Sequence, residues 1–172
     1  MKQTLKYIYE RLFEDLKYAE TKHSITMTIA SAVIAFASTF FSNNYVLNIL
    51  SSACIMLALI SIIYSFIALL SRNVHVSNKE KAVAKNNLML YKTIKEYSDI
   101  SYCKKLRTSY QLPKDYKIDE MDLDLARQVI TTAKLVNLKF SYFNFSLVFL
   151  FLSILCGIVV VCIRGNIIWQ KT

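Results

Sequence analysis

Charged and apolar positions are sharply segregated along this chain. From Ser24 to Ser71 there are 48 residues without Asp, Glu, Lys or Arg. An uncharged apolar run of about 18 residues suffices for one membrane-spanning helix, so this one is long enough for two. It is interrupted once, at Phe41-Ser42-Asn43-Asn44-Tyr45. Asn tolerates turn conformations and Ser42 can bond its own backbone, so the chain is expected to reverse there. The pattern predicts a transmembrane hairpin over 24–71, with spans at 24–41 and 45–71. A second uncharged run, the 24 residues from Phe140 to Ile163, predicts a third, C-terminal span.

Outside these runs the pattern is that of amphipathic helix. In residues 1–23, Leu5, Ile8, Leu12, Phe13, Leu16 and Ala19 recur at helical spacing, with Arg11, Glu14, Asp15 and Lys17 opposite. No Gly or Pro separates this helix from the first span, so it is expected to enter the membrane unbroken. Ser77-Asn78-Lys79-Glu80 fits a capping box, and helical sequence continues to about Leu106. Pro113, the only proline, interrupts it. A last helix is expected from about Asp119-Glu120-Met121-Asp122, whose acids suit a helix N-terminus. It should run through Leu123, Ala126, Ile130 and Ala133 into the third span. Residues 72–139 thus form a helical insert, and 164–172 a tail. The fold class is an all-α membrane protein.

Two of the spans carry a stripe of small or weakly polar residues. In the first these are Ser24, Thr28, Ser31, Ala35 and Ser38; in the second, Ser51, Cys54, Ala58, Ser61, Ser65 and Ala68. The mean step of 3.5 keeps each stripe on one face, and small residues let backbones approach closely in lipid. Two readings stay open: the stripes face each other and close the hairpin, or their hydroxyls line a wet path between copies of the chain. Ser153 and Gly157 offer a further small-residue contact to the hairpin.

Composition sets the orientation. Five Lys/Arg and four Asp/Glu lie in residues 1–23, fourteen and eight in 72–139, and none in the turn. The basic excess places the N-terminus and the insert in the cytoplasm, and the turn and C-terminal tail outside. Tyr142, Phe143 and Phe145 fit an inner aromatic belt and Trp169 an outer one. Cleavage after Ala35-Phe36-Ala37 is not expected, because the preceding residues are long, helical and acid-rich. The four cysteines, Cys54, Cys103, Cys156 and Cys162, make neither a disulfide framework nor a metal-like pair.

Candidate chemistry is sparse. No nucleophile elbow, phosphate-binding glycine loop or zinc-helix motif is present, and no enzyme activity or metal is expected. His23 and His75 fall at one membrane level, with Glu20 in helical reach of His23. The spans lack the ionisable groups that coupled transporters use. Lys104, Lys105, Arg107 and Tyr110, with Tyr102 nearby, form a basic-aromatic cluster that suits either a nucleotide's phosphate and base or anionic headgroups. Interleaved acids argue against DNA or RNA.

The segment Tyr18-Ala19-Glu20-Thr21-Lys22-His23-Ser24 resembles the A-[DE]-x-K signature of the Pycsar-type transmembrane effectors of bacteria. The lead-in Lys134-Leu135-Val136-Asn137-Leu138-Lys139-Phe140 is similar to theirs, and so is the order of helix, two spans, insert and last span. The related SLATT-like effectors follow the same logic with other nucleotides. The resemblance implies an antiphage effector of the bacterial inner membrane that needs no cofactor. Its trigger would be cyclic UMP or cyclic CMP from a cognate cyclase, and its output impaired membrane integrity, in a homo-oligomer embedded in the bilayer. Glu20, Lys22 and His23 would then serve gating. A membrane adaptor for a soluble partner and a holin-like pore are the alternatives.

Overall fold

A computed structural model describes residues 1–42, 44–71, 87–110 and 116–169, with side chains to 165. Five helices make it up: α1 (Lys2–Ser38), α2 (Tyr45–Leu70), α3 (Tyr91–Ile94), α4 (Asp99–Ser109) and α5 (Glu120–Trp169). Asn43, the capping box at Ser77–Glu80, His75, Pro113 and the Trp169 side chain lie outside the described residues.

The expected continuity of the N-terminal helix holds, because nothing between Lys2 and Ser38 breaks it. It ends three residues before Phe41, in a tightened turn where Thr39 and Phe40 N–H groups donate to the Phe36 and Ala37 carbonyls. The reversal uses the side chains that the sequence offers. Ser42 Oγ accepts from the Asn44 N–H at 3.2 Å, and Asn44 Oδ1 caps α2 by accepting from the Val46 N–H at 3.0 Å. Among the described residues, the helical sequence to Leu106 is not one helix but two, α3 and α4, separated by residues 95–98. The reason is local: Ser98 and Ser101 form a capping box, each side chain bonding the other residue's backbone N–H.

The chain divides into two compact units. The first comprises Met1–Ala19 and Ser71–Phe140. Its core takes Leu5, Ile8 and Leu12 from α1, Tyr102, Cys103 and Leu106 from α4, and Ala126, Val129, Ile130 and Ala133 from α5. Leu88 and Ile94 close it. At the head of α5, Asp119 Oδ1 accepts from the Asp122 N–H at 2.8 Å while Asp122 Oδ2 accepts from the Asp119 N–H at 3.3 Å. That reciprocal cap is why the helix starts at Glu120.

The second unit comprises Glu20–Leu70 and Ser141–Thr172. Ala30 of α1, Ala58 of α2 and Leu150 of α5 meet at its centre, with Val33, Ile34 and Ile62 around them. Among the described residues two helices are long and apolar enough to cross a membrane, α2 and α5 up to Gly165. Only 28% and 22% of their most apolar stretches are buried. Met56, Ile63 and Phe66 on α2, and Phe145, Phe151 and Ile158 on α5, point outward instead. An exposed apolar surface of this extent calls for lipid rather than water. The stretch from Ser24 in α1 does not reach the same standard. It runs only to Ser38 and includes Ser24, Thr26, Thr28, Ser31 and Ser38, so its helical part is about 22 Å long against a hydrocarbon core of about 30 Å.

Candidate functional site

Two arrangements stand out, one in each unit. In the second unit they lie where α2 and α5 pack antiparallel. The buried residues of α2 are Leu47, Ser51, Cys54, Ala58, Ser61, Ser65 and Ala68, which take in all six residues of its small-residue stripe. Their partner is α5, not α1. Ser61 Oγ donates to the Ser146 carbonyl at 2.8 Å, and Ser146 Oγ donates back to the Ser61 carbonyl at 2.9 Å. Ser65 Oγ lies 2.8 Å from Ser146 Oγ. The pattern repeats further along. Ser153 Oγ donates to the Cys54 carbonyl at 2.8 Å, and the Cys54 thiol to the Ser153 carbonyl at 3.2 Å. From Cys54 to Ser61 is seven residues forward, and from Ser153 to Ser146 seven back, so the two knots are one heptad apart on both helices. The Cys156 thiol adds a bond to the Leu50 carbonyl at 3.4 Å. A Cβ on Gly157 would meet Cys54 Sγ at 3.7 Å, an ordinary contact, so the approach of α2 here does not depend on glycine.

The stripe on α1 does not face the α2 stripe to close the hairpin, as the first of the two sequence readings had it. Ser24, Thr28, Ser31, Ala35 and Ser38 are all exposed. Their hydroxyls donate to α1's own carbonyls, at Glu20, Ser24, Met27 and Ala35. The face of α1 that is buried carries His23, Thr26, Ala30 and Ala37. A hydroxyl satisfied by its own helix needs no neighbour, which is why polarity alone did not mark the packing face. Ser51 is the reverse case: its Oγ is buried with no hydrogen-bond partner among the described residues.

Lys22 of the A-[DE]-x-K segment and the following His23 both meet the Phe143 ring. His23 is fully buried and meets Phe143 edge-on, with centroids 5.7 Å apart at 86°. Lys22 Nζ lies 5.1 Å over the same ring, a cation–π contact. Glu20 is half-buried, and its carbonyl accepts from Ser24 Oγ. His75 lies outside the described residues. Tyr142 and Phe145, with Phe149, flank Tyr64, which stacks on Phe149 at 5.6 Å and 8°.

In the first unit, the basic-aromatic cluster sits on α4 and just after it. Lys104, Lys105 and Tyr110 are exposed, and Arg107 Nη1 donates to the Tyr116 carbonyl at 3.5 Å. Tyr102 does not belong to that surface. It is fully buried and its hydroxyl donates to the Leu88 carbonyl at 2.8 Å, so its ring is core and offers no face to a base. Burial raises the Tyr102 phenol far above its ordinary range and the neighbouring Cys103 thiol to about 11. Tyr116 donates to Asp122 Oδ2 at 2.8 Å, and that bond holds its phenol up at about 12. Asp119 is held below the ordinary carboxyl range first by the hydrogen bond from Lys2, whose ammonium lies at 2.7 Å.

The same unit holds an open cleft of about 440 Å³, which the sequence did not disclose. Tyr9 of α1 lines it opposite Asp124, Arg127, Gln128, Thr131 and Thr132 of α5. The α5 residues follow at helical spacing, but only the fold brings Tyr9 to them. Arg127 is clamped between two acids, Nη2 to Asp99 Oδ2 at 3.0 Å and Nη1 to Asp124 Oδ1 at 3.1 Å. Among the described residues, no group of His, Cys, Asp and Glu has the makings of a metal site.

A family model described as the Pycsar effector protein domain matches residues 4–164, nearly the whole chain. No curated protein and no solved structure matches.

Proposed function

We propose, from the premise that the chain belongs to the Pycsar effector family, that it is a membrane effector of antiphage defence, set off by a cyclic pyrimidine nucleotide to impair the bacterial inner membrane. The family is one of effectors rather than of known catalysts. The observation that supports the output is the α2–α5 seam. Its outward faces are large and apolar, and its inner contact is closed by small hydroxyl and thiol groups bonded to backbone carbonyls. Interhelical hydrogen bonds in a bilayer average about 0.6 kcal/mol, so such a seam holds a closed state without locking it. A ligand moves that balance only by binding one state better than the other.

In this reading the α1 stretch from Ser24 completes a three-span arrangement, with the N-terminus and the 72–139 segment cytoplasmic and the C-terminus outside. The exposed stripe of Ser24, Thr28, Ser31, Ala35 and Ser38 meets other copies of the chain in a homo-oligomer, where small residues allow close approach. Lys22 and His23, both against Phe143, and Glu20 one turn before adjust the tilt of the first span. Opening exposes the seam's hydroxyls and breaches the permeability barrier.

The experiment is in cells. A membrane-potential dye should report depolarisation when the chain is co-expressed with a uridylate or cytidylate cyclase, and not with a catalytically dead cyclase. Depolarisation of equal extent with the dead cyclase would leave the holin-like reading standing. A polarised membrane in both would refute the effector reading.

A further inference from the structure

The cleft beside Arg127 has one lining group for each part of a nucleotide. Tyr9 is half-buried and stacks on Phe13, with centroids 6.4 Å apart at 19°, so it presents a ring already held in place; a base can stack on such a face. Gln128 is exposed and carries both donors and an acceptor, which suits a base edge. Asp124 accepts from a sugar hydroxyl or an exocyclic amine. Arg127 presents five N–H donors in a planar fork. A cleft of about 440 Å³ lies within the range that small ligands use.

The charges narrow the ligand further. Two carboxylates, Asp99 and Asp124, already share the one guanidinium. A phosphate monoester, doubly charged, meets both acids at close range and is repelled; a phosphodiester with one charge is repelled about half as strongly. The ion pair with Asp99 is half open to solvent, with Arg127 60% and Asp99 26% exposed. Exposed pairs of this kind are weak and can be exchanged. Asp99 is the first residue of α4, whereas Asp124 and Arg127 are both on α5. Of Arg127's two ion pairs, the one to Asp99 joins two helices and the one to Asp124 stays within α5.

We infer that this cleft binds a singly charged cyclic nucleotide, whose phosphodiester takes the place of Asp99 on Arg127 and so removes that tie between α4 and α5. This rests on the reading above, that a nucleotide is the trigger. No bond is made or broken, and the capping box of Ser98 and Ser101 keeps α4 helical once Asp99 lets go. Asp99 is then a competitor for the ligand rather than a contact to it. The two ends of the ion pair therefore have opposite effects when mutated.

The test is calorimetric titration of the detergent-solubilised full chain with cyclic UMP, cyclic CMP, cyclic AMP, linear UMP and inorganic phosphate. The cyclic pyrimidine nucleotides should bind, and linear UMP and phosphate should bind at least about tenfold more weakly. Asp99→Asn should tighten binding about tenfold, since the arginine is freed. Arg127→Gln should weaken it about tenfold or more, and Tyr9→Leu, which keeps the apolar bulk, should weaken it too. Circular dichroism of each variant checks that it is folded. If Asp99→Asn and Arg127→Gln shift affinity in the same direction, or neither shifts it while the wild type binds, the cleft assignment is overturned and the trigger stands. If no nucleotide binds the wild type, the trigger reading falls together with the cleft.

Discussion

Removing the hydroxyl of Ser146 should loosen the α2–α5 pair by about 1–2 kcal/mol, from interhelical bonds that average about 0.6 kcal/mol and reach about 1.7 kcal/mol in bilayers. Ser146 Oγ donates to the Ser61 carbonyl at 2.9 Å and lies 2.9 Å from Ser61 Oγ and 2.8 Å from Ser65 Oγ. In Ser146→Ala the Ser61 hydroxyl keeps its bond to the residue 146 carbonyl, but Ser65 loses the Ser146 hydroxyl. The loss is thus two to three weak bonds, not a collapse of the seam. Ser51→Ala is the matched control. Its Oγ is buried and has no partner among the described residues, so deleting it should be neutral or stabilise by up to about 1 kcal/mol. The assay is equilibrium unfolding in bicelles by steric trapping, with both variants measured beside the wild type. Ser146→Ala should also leak dye from vesicles at lower nucleotide concentration. Equal stabilities for Ser146→Ala and Ser51→Ala would refute the idea that the reciprocal bonds hold the seam.

Ser153→Ala should cost about as much as Ser146→Ala, and the double variant should show additive losses, since the knots lie about 10 Å apart along the helices; a cooperative loss beyond about 0.5 kcal/mol would contradict independence. Ala58→Leu, at a fully buried position against Ala30 and Leu150, should overpack the centre of the second unit and destabilise by about 1–3 kcal/mol in the same assay. Tyr102→Phe removes the donor to the Leu88 carbonyl and should cost about 1–2 kcal/mol in urea unfolding followed at the first unit's helices. Alkaline pH should destabilise that unit: the Cys103 thiol, ordinarily near 9.0, is raised to about 11 in the fold, so its contribution is whole below pH 9 and is lost as pH rises through 11. Cys103→Ala should flatten the stability profile between those values; an unchanged profile would assign the effect elsewhere.

What the sequence disclosed tracks what local pattern can encode. The α2 stripe was legible because every seventh and every third or fourth residue is small in an otherwise bulky helix, and burial of that stripe follows from spacing alone. Its true partner was only half legible. Ser153 and Gly157 mark α5, and Ser146 lies one heptad before Ser153, but the bulky Phe149 and Leu150 between them interrupt the run of small residues. On α1 the hydroxyls misled, because Ser and Thr can satisfy themselves on their own helix, while the buried Thr26, Ala30 and Ala37 make a quieter stripe. The interruption between α3 and α4 was missed because Ser98 and Ser101 cap each other without the acidic third residue that usually flags a helix start. Tyr102 looked like a surface aromatic beside lysines, and only tertiary packing turns it inward. The cleft at Tyr9 and Arg127 joins residues more than a hundred positions apart, and spacing cannot show such a meeting.

In the proposed mechanism, the α2–α5 seam parts when the membrane is breached. Cys54 Sγ lies 3.4 Å from Ser153 Oγ, so Ser153→Cys sets a second thiol beside the native one, within reach of a disulfide. The direct measurement is dye release from vesicles holding this variant, with cyclic UMP or cyclic CMP added before and after reduction. The oxidised protein should stay tight in the presence of nucleotide and leak once dithiothreitol is added. Equal leakage from the oxidised and reduced protein would contradict it.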